Sequence, residues 1–131
     1  MVLLDSFDAA AARADAAVIF PGRTELSDGD LEFAAYCRSV VQAGKATVTE
    51  AMQPLSFLQK KHDGKSWIRT LEIFLLDADR SIQKTTDALR LHRNTVKYRI
   101  KCMSERVGFP IGQMPASLSL YIAVGVSRLI G

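Results

Sequence analysis

The chain is short of the patterns that mark most protein chemistries. It has two cysteines, Cys37 and Cys102, with no CxxC and no Cys/His cluster. That excludes a zinc site and a disulfide framework. Two reduced thiols in or near a core are expected instead, and cytoplasmic residence fits them. No apolar run reaches the ~18–20 residues of a membrane span. The opening MVLLDSFD has no basic n-region, so a signal peptide is not expected. A phosphate-cradling glycine loop, GxSxG and HExxH are all missing. Neither His62 nor His92 has a nucleophile or carboxylate partner by motif. Asp77 and Asp79 lack the glycine and further carboxylates of a calcium loop. The expectation is a protein without metal or cofactor that is not an enzyme. Metal-dependent turnover at Asp77/Asp79 would be the sign of the contrary. There is no internal repeat and no low-complexity tract.

What is present is enough apolar material for a core, 48% of 131 residues, consistent with one domain or one domain with an attached piece of another. Charge is unevenly placed. Residues 81–108 carry seven Lys/Arg against Asp87 and Glu105, a net +5, whereas the whole chain is +3 and the remainder therefore −2. So local a positive charge is the footprint of a surface that meets phosphate.

Turn and cap signals divide the chain into helices. Ser6 is placed to cap a first helix through AAAARADAA, with AAVIF either its apolar end or a short strand, and Pro21-Gly22 ending it. A second helix opens at Ser27 or Asp28 and stops at Gly44. Thr47 to Glu50 reads as a capping box opening a third element, broken at Pro54. Leu55, Phe57 and Leu58 anchor that element, and His62-Asp63-Gly64 closes it. Ser66 is expected to cap the strongest core helix, WIRTLEIFLLDA, with Trp67, Ile68, Leu71, Phe74 and Leu75 on one face. Trp67 reads as a core anchor. After a Pro/Gly loop, residues 116–130 form the last helix.

The segment SIQKTTDALRLHRNTVKYRIKCMSERVG reads as two helices joined by a tight turn. The first runs from Ser81 to Leu89, with Ile82, Thr85, Thr86 and Leu89 inward and small Ala88 admitting the next helix. Leu91 is the apolar pin at the turn. In the second helix Val96, Ile100, Met103 and Val107 form the buried stripe. Arg93, Asn94, Lys97, Tyr98 and Lys101 then face outward, with Thr95 at the helix start. That inventory suits a major groove. Arg93 can pair with guanine and Asn94 with adenine, both bidentately. Thr95 offers a methyl to thymine or a hydroxyl to phosphate. Lys97, Arg99 and Lys101 suit phosphate, which positions a protein without reading sequence. His92 either contacts phosphate or caps the helix. Tyr98 either lies along the DNA backbone or fills the edge of the core.

The string TLEIFL…TTDALRLHRNTVKYRIKCMSERVG resembles the C-terminal helix-turn-helix of PucR/CdaR-type bacterial transcription regulators. The matching parts are Thr70-Leu71 with Phe74-Leu75, Ala88-Leu89, His92 to Val96 with Tyr98-Arg99, and Gly108. The last apolar helix also matches. The resemblance covers roughly residues 51–131. Thr86 stands where the family usually has alanine, and Cys102-Met103 replaces a basic-apolar pair. The resemblance implies an upstream sensing region that would bind any effector, absent from so short a chain, so this is expected to be a piece of a longer regulator.

The expectation is an all-α fold with a tri-helical helix-turn-helix core over 66–107 and flanking helices. Residues 1–45 are expected to form an N-terminal helical segment, readable as the remnant of an upstream domain, and 46–131 the DNA-binding domain. The expected function is sequence-specific double-stranded DNA binding in transcription regulation, with residues 93–106 in the major groove. A homodimer is expected, because one small recognition helix makes few contacts. Its surface is either the last helix or helix 28–43. The competing reading is an α-helical protein-interaction or oligomerisation module whose basic face meets an acidic partner.

Overall fold

A computed structural model of the chain describes residues 8–59 and 63–131, and among these there is no strand. Helix α1 spans Ala9–Ile19 and α2 spans Asp28–Gln42. Helix α3 (Lys45–Met52) passes through a 3-10 turn at Gln53–Leu55 into the short α4 (Ser56–Gln59). Helix α5 (Gly64–Glu72) continues into a π turn at Ile73–Asp77. Helices α6 (Ile82–Leu89) and α7 (Arg93–Val107) form the charged motif, and α8 (Leu118–Ile130) closes the chain. The all-α helix-turn-helix expectation holds.

Local chemistry fixes the helix ends. Ser6 and His62 lie outside the described residues. Asp8 caps α1, its Oδ1 accepting from the Ala10 and Ala11 amides at 3.0 and 3.1 Å. The AAVIF stretch stays helical through Ile19. Ser27 caps α2 in a reciprocal box with Asp30. The capping box expected at Thr47–Glu50 is not formed. Gly44, at φ 112°, already turns the chain, α3 starts at Lys45, and the Thr49 hydroxyl donates to the Lys45 carbonyl inside the helix. Pro54 sits in the 3-10 turn, where its missing N–H costs little. Ser66 does not cap α5, because the Ser66 and Trp67 amides already donate to the Asp63 carbonyl and the helix begins at Gly64. Gly64 is required there: a Cβ at that position would lie 2.1 Å from the Leu58 carbonyl oxygen.

Regular helical spacing placed Trp67, Leu71, Phe74 and Leu75 correctly in the core, while Ile68 is only half-buried. The π turn departs from that spacing. It widens the helix so that Ile73, Phe74, Leu75 and Leu76 are all buried in succession. The last helix starts at Leu118 rather than 116 because Ser117 serves the preceding loop. Its buried hydroxyl accepts the Gly112 amide at 2.8 Å.

One hydrophobic cluster joins the ends of the chain, including Ala16, Ile19, Ala34, Cys37, Leu71, Leu75, Met103, Leu120 and Val124. Helix α8 packs against α1, α2, α3, α5 and the π turn. Its crossing with α2 depends on Gly125, where a Cβ would lie 2.9 Å from Cys37 Sγ and from the Phe33 ring. Burial, and secondarily the Asp15 carboxylate, push the Cys37 thiol up to about 12. Arg128 fastens the far end of α8. It reaches both Asp77 carboxylate oxygens at 2.9 and 2.6 Å and the Ile19 carbonyl at 2.8 Å. Such a bidentate, charge-assisted pair holds three elements in one geometry. Asp77 is thus a partner of arginine, and among the described residues no group of His, Cys, Asp and Glu is arranged to hold a metal. No helix among them is long and apolar enough to cross a membrane.

One polar atom is left out of this accounting. The Thr86 hydroxyl on α6 is buried with no hydrogen-bond partner among the described residues. An unpaired buried hydroxyl is destabilising, and valine has the same shape without it. Thr86→Val is expected to raise stability by about 1 kcal/mol in urea denaturation. A variant no more stable than the parent would show that the hydroxyl finds a partner in solution.

Candidate nucleic-acid interface

The two motif helices are set by their caps and by the turn between them. Ser81 caps α6, its Oγ accepting from the Lys84 amide at 3.1 Å. Thr85 is fully buried, and its hydroxyl is satisfied by the Ser81 carbonyl at 2.7 Å. Arg90 ends α6 at φ 55°, a left-handed position that a side chain occupies only at some strain. Leu91 follows half-buried as the turn's apolar residue. Ala88 corrects the sequence reading: it is exposed, so it does not mediate the approach of α7. The buried residue of α6 is Thr85, whose hydroxyl bond makes a polar residue acceptable inside.

Helix α7 opens on His92. Its Nδ1 accepts the Asn94 amide at 3.1 Å, so the imidazole is engaged as a cap. Along α7, Val96 and Met103 are fully buried, and Ile100 and Val107 are half-buried. The opposite face is open: Arg93, Asn94, Lys97, Tyr98 and Lys101 are exposed and Thr95 is half-buried. Gly108, at φ 87°, terminates the helix.

Arg99 departs from this outward set. Its guanidinium donates to Thr70 Oγ1 at 2.9 Å and reaches the Ser66 carbonyl at 3.4 Å. It also lies over the Trp67 ring, 5.7 Å from the centroid. Arg99, grouped with Lys97 and Lys101 as suited to phosphate, is half-buried against α5 where those two lysines are exposed. Tyr98 lies between the two readings made for it. It is 62% exposed, yet its ring meets Trp67 edge-on at 6.2 Å. Below it a groove of about 280 Å³ runs between α4, α5 and α7, with Glu105 and Arg106 as its charged lining.

One residue near the exposed face was missed from sequence. Gln83 on α6 accepts from Arg93 Nη1 at 3.2 Å and donates to Asp87 Oδ1 at 2.9 Å. The i, i+4 spacing of Gln83 and Asp87 was readable as a helical pair. The link to Arg93 was not, since it crosses the turn.

A short helix, a turn, and a second helix presenting cations over an apolar ridge define a helix-turn-helix domain. Residues 67–126 match the family described as the PucR C-terminal helix-turn-helix domain, and this part of the chain is a domain of that family. The chain is also similar to the purine catabolism regulatory protein of Bacillus subtilis (strain 168), with 31% identity over 75 residues. That alignment covers 57% of this chain and 14% of the relative's length. No solved structure matches.

The position of Arg99 generates a test. Arg99→Ala is expected to cost about 1 kcal/mol of folding stability, the usual loss for a charge-assisted bond at a half-exposed site. Lys101→Ala, on the open face, should stay within about 0.5 kcal/mol of the parent. Equal stabilities for the two variants would mean that Arg99 is free in solution.

Proposed function

We propose that this chain binds double-stranded DNA sequence-specifically in transcription regulation, with residues 93–106 of α7 in the major groove. The observation that carries the reading is the split of α7. Val96 and Met103 are buried, while Arg93, Asn94, Lys97 and Lys101 stand exposed along one face. Membership of residues 67–126 in a regulator's helix-turn-helix family supports it.

In this reading Arg93 and Asn94 read base edges, Arg93 suited to guanine and Asn94 to adenine. Thr95 meets a thymine methyl or a phosphate. Lys97 and Lys101 hold phosphates, and Tyr98 lies along the backbone. His92 fixes the start of α7, so that its first amides point at the duplex. Arg99 seats α7 on α5 and does not bind DNA.

Two copies acting together on a two-fold operator would supply the contacts that one helix lacks. The protein would work in the cytoplasm, where its DNA is, with any effector bound by a region outside this chain. Residues 46–131 are the DNA-binding unit. Helices α1 and α2 share one core with α8, so packing runs on across residue 45.

Arg93→Ala and Asn94→Ala are each expected to lose about 1–3 kcal/mol on a duplex selected by the parent chain from a random library, and to relax preference at one base position. If both variants bind selected and random duplex as the parent does, α7 is not the reader. Lys97→Ala should weaken binding to all sequences and lower the slope of log affinity against log salt by about 1. An unchanged slope removes Lys97 from the phosphate set. A parent chain that binds no duplex at low salt would favour a protein-interaction module instead.

A further inference from the structure

We propose that Gln83 and Asp87 form a positioning pair that presets the Arg93 guanidinium for the DNA base it reads. The inference rests on the DNA-binding reading above and deepens it. All three side chains are exposed. Gln83 Oε1 accepts from Arg93 Nη1 at 3.2 Å, and Gln83 Nε2 donates to Asp87 Oδ1 at 2.9 Å.

The chemistry of the three groups makes the chain of bonds directional. A glutamine amide can face either way, because it has a donor end and an acceptor end. Asp87 only accepts and Arg93 only donates. Both partners therefore demand the same amide orientation, NH₂ toward Asp87 and oxygen toward Arg93. A partner at one end alone would leave the other end free to rotate.

Exposed hydrogen bonds of this kind contribute little to folding, since water competes for each group. Their effect on Arg93 is larger in kind. A free arginine samples many rotamers and must give them up when it pairs with a base. Arg93 is the first residue of α7, so no earlier turn of its own helix lies beside its side chain. Gln83 occupies one of its five N–H donors and leaves four, enough for a bidentate pair with guanine. The anchor comes from α6, so it also fixes the guanidinium relative to the turn and not merely to its own helix.

The test is a double-mutant cycle on the parent-selected duplex, combining Gln83→Ala and Arg93→Ala. Gln83→Ala alone is expected to weaken binding about three- to tenfold, the range for ordering one long side chain, and to relax preference at the base position that Arg93→Ala relaxes. In the Arg93→Ala background Gln83→Ala should have no further effect. Asp87→Ala should act in the same direction more weakly, because the amide then loses its orientation. All these variants should melt at the parent temperature, their sites being exposed. Equal losses from Gln83→Ala in both backgrounds would mean that Gln83 touches DNA itself, and tighter binding would mean that it sequesters Arg93. Either result overturns the positioning role while leaving the DNA reading intact. A parent chain with no preference for its selected duplex over random duplex would overturn the DNA reading first, and this inference with it.

Discussion

Helix α7 has to satisfy two environments at once, and the rest of the molecule is arranged around that demand. Its apolar ridge is narrow, two fully buried residues flanked by two half-buried ones, so α7 contributes little to the core on its own. Such a helix is held by what lies beneath and before it. The turn at Arg90-Leu91, the His92 cap and the Thr85 hydroxyl bond fix its entry. Met103 ties its middle into the same core that contains Leu71 and Leu120. A basic helix without such seating would be free to turn its cations in any direction.

The supporting body is unusually dependent on arginine. Arg99 joins α7 to α5 through Thr70 and the Trp67 ring. Arg128 joins α8 to the π turn and to the end of α1. Arg38 pairs with Asp15 to hold α2 against α1. In each case a planar, multi-donor group bridges elements that one lysine charge could not orient. Cations in this chain therefore have two occupations, and composition alone does not separate them.

Much of the fold was legible because its signals are local. The caps at Ser27 and Ser81, the break at Pro54 and the terminating Gly108 depend on a few neighbouring residues, and each could be read directly. The outward set Arg93, Asn94, Lys97, Tyr98 and Lys101 followed from a 4-3-4 apolar spacing. What was not legible depended on partners distant in sequence or on departures from the regular helix. Arg99 turns inward because Thr70, 29 positions away, offers it an oxygen. The apolar run Ile73 to Leu76 was readable as a widened core face, but the π turn that carries it was not, since no 3.6-residue pattern marks a change of helical pitch. Ser66 looked like a cap only because the bonds to the Asp63 carbonyl, formed one turn earlier, leave no trace in composition.

Gly125 sits mid-way along α8, where glycine ordinarily weakens a helix. Its lack of a side chain is what lets α8 lie against Cys37 and Phe33. Even alanine at position 125 would press on the Cys37 sulfur and the Phe33 ring, so substitution there is felt through the α2–α8 contact and not through any exposed face. The glycine sets how closely α8 can lie against α2, while the exposed face of α7 takes no part in that contact.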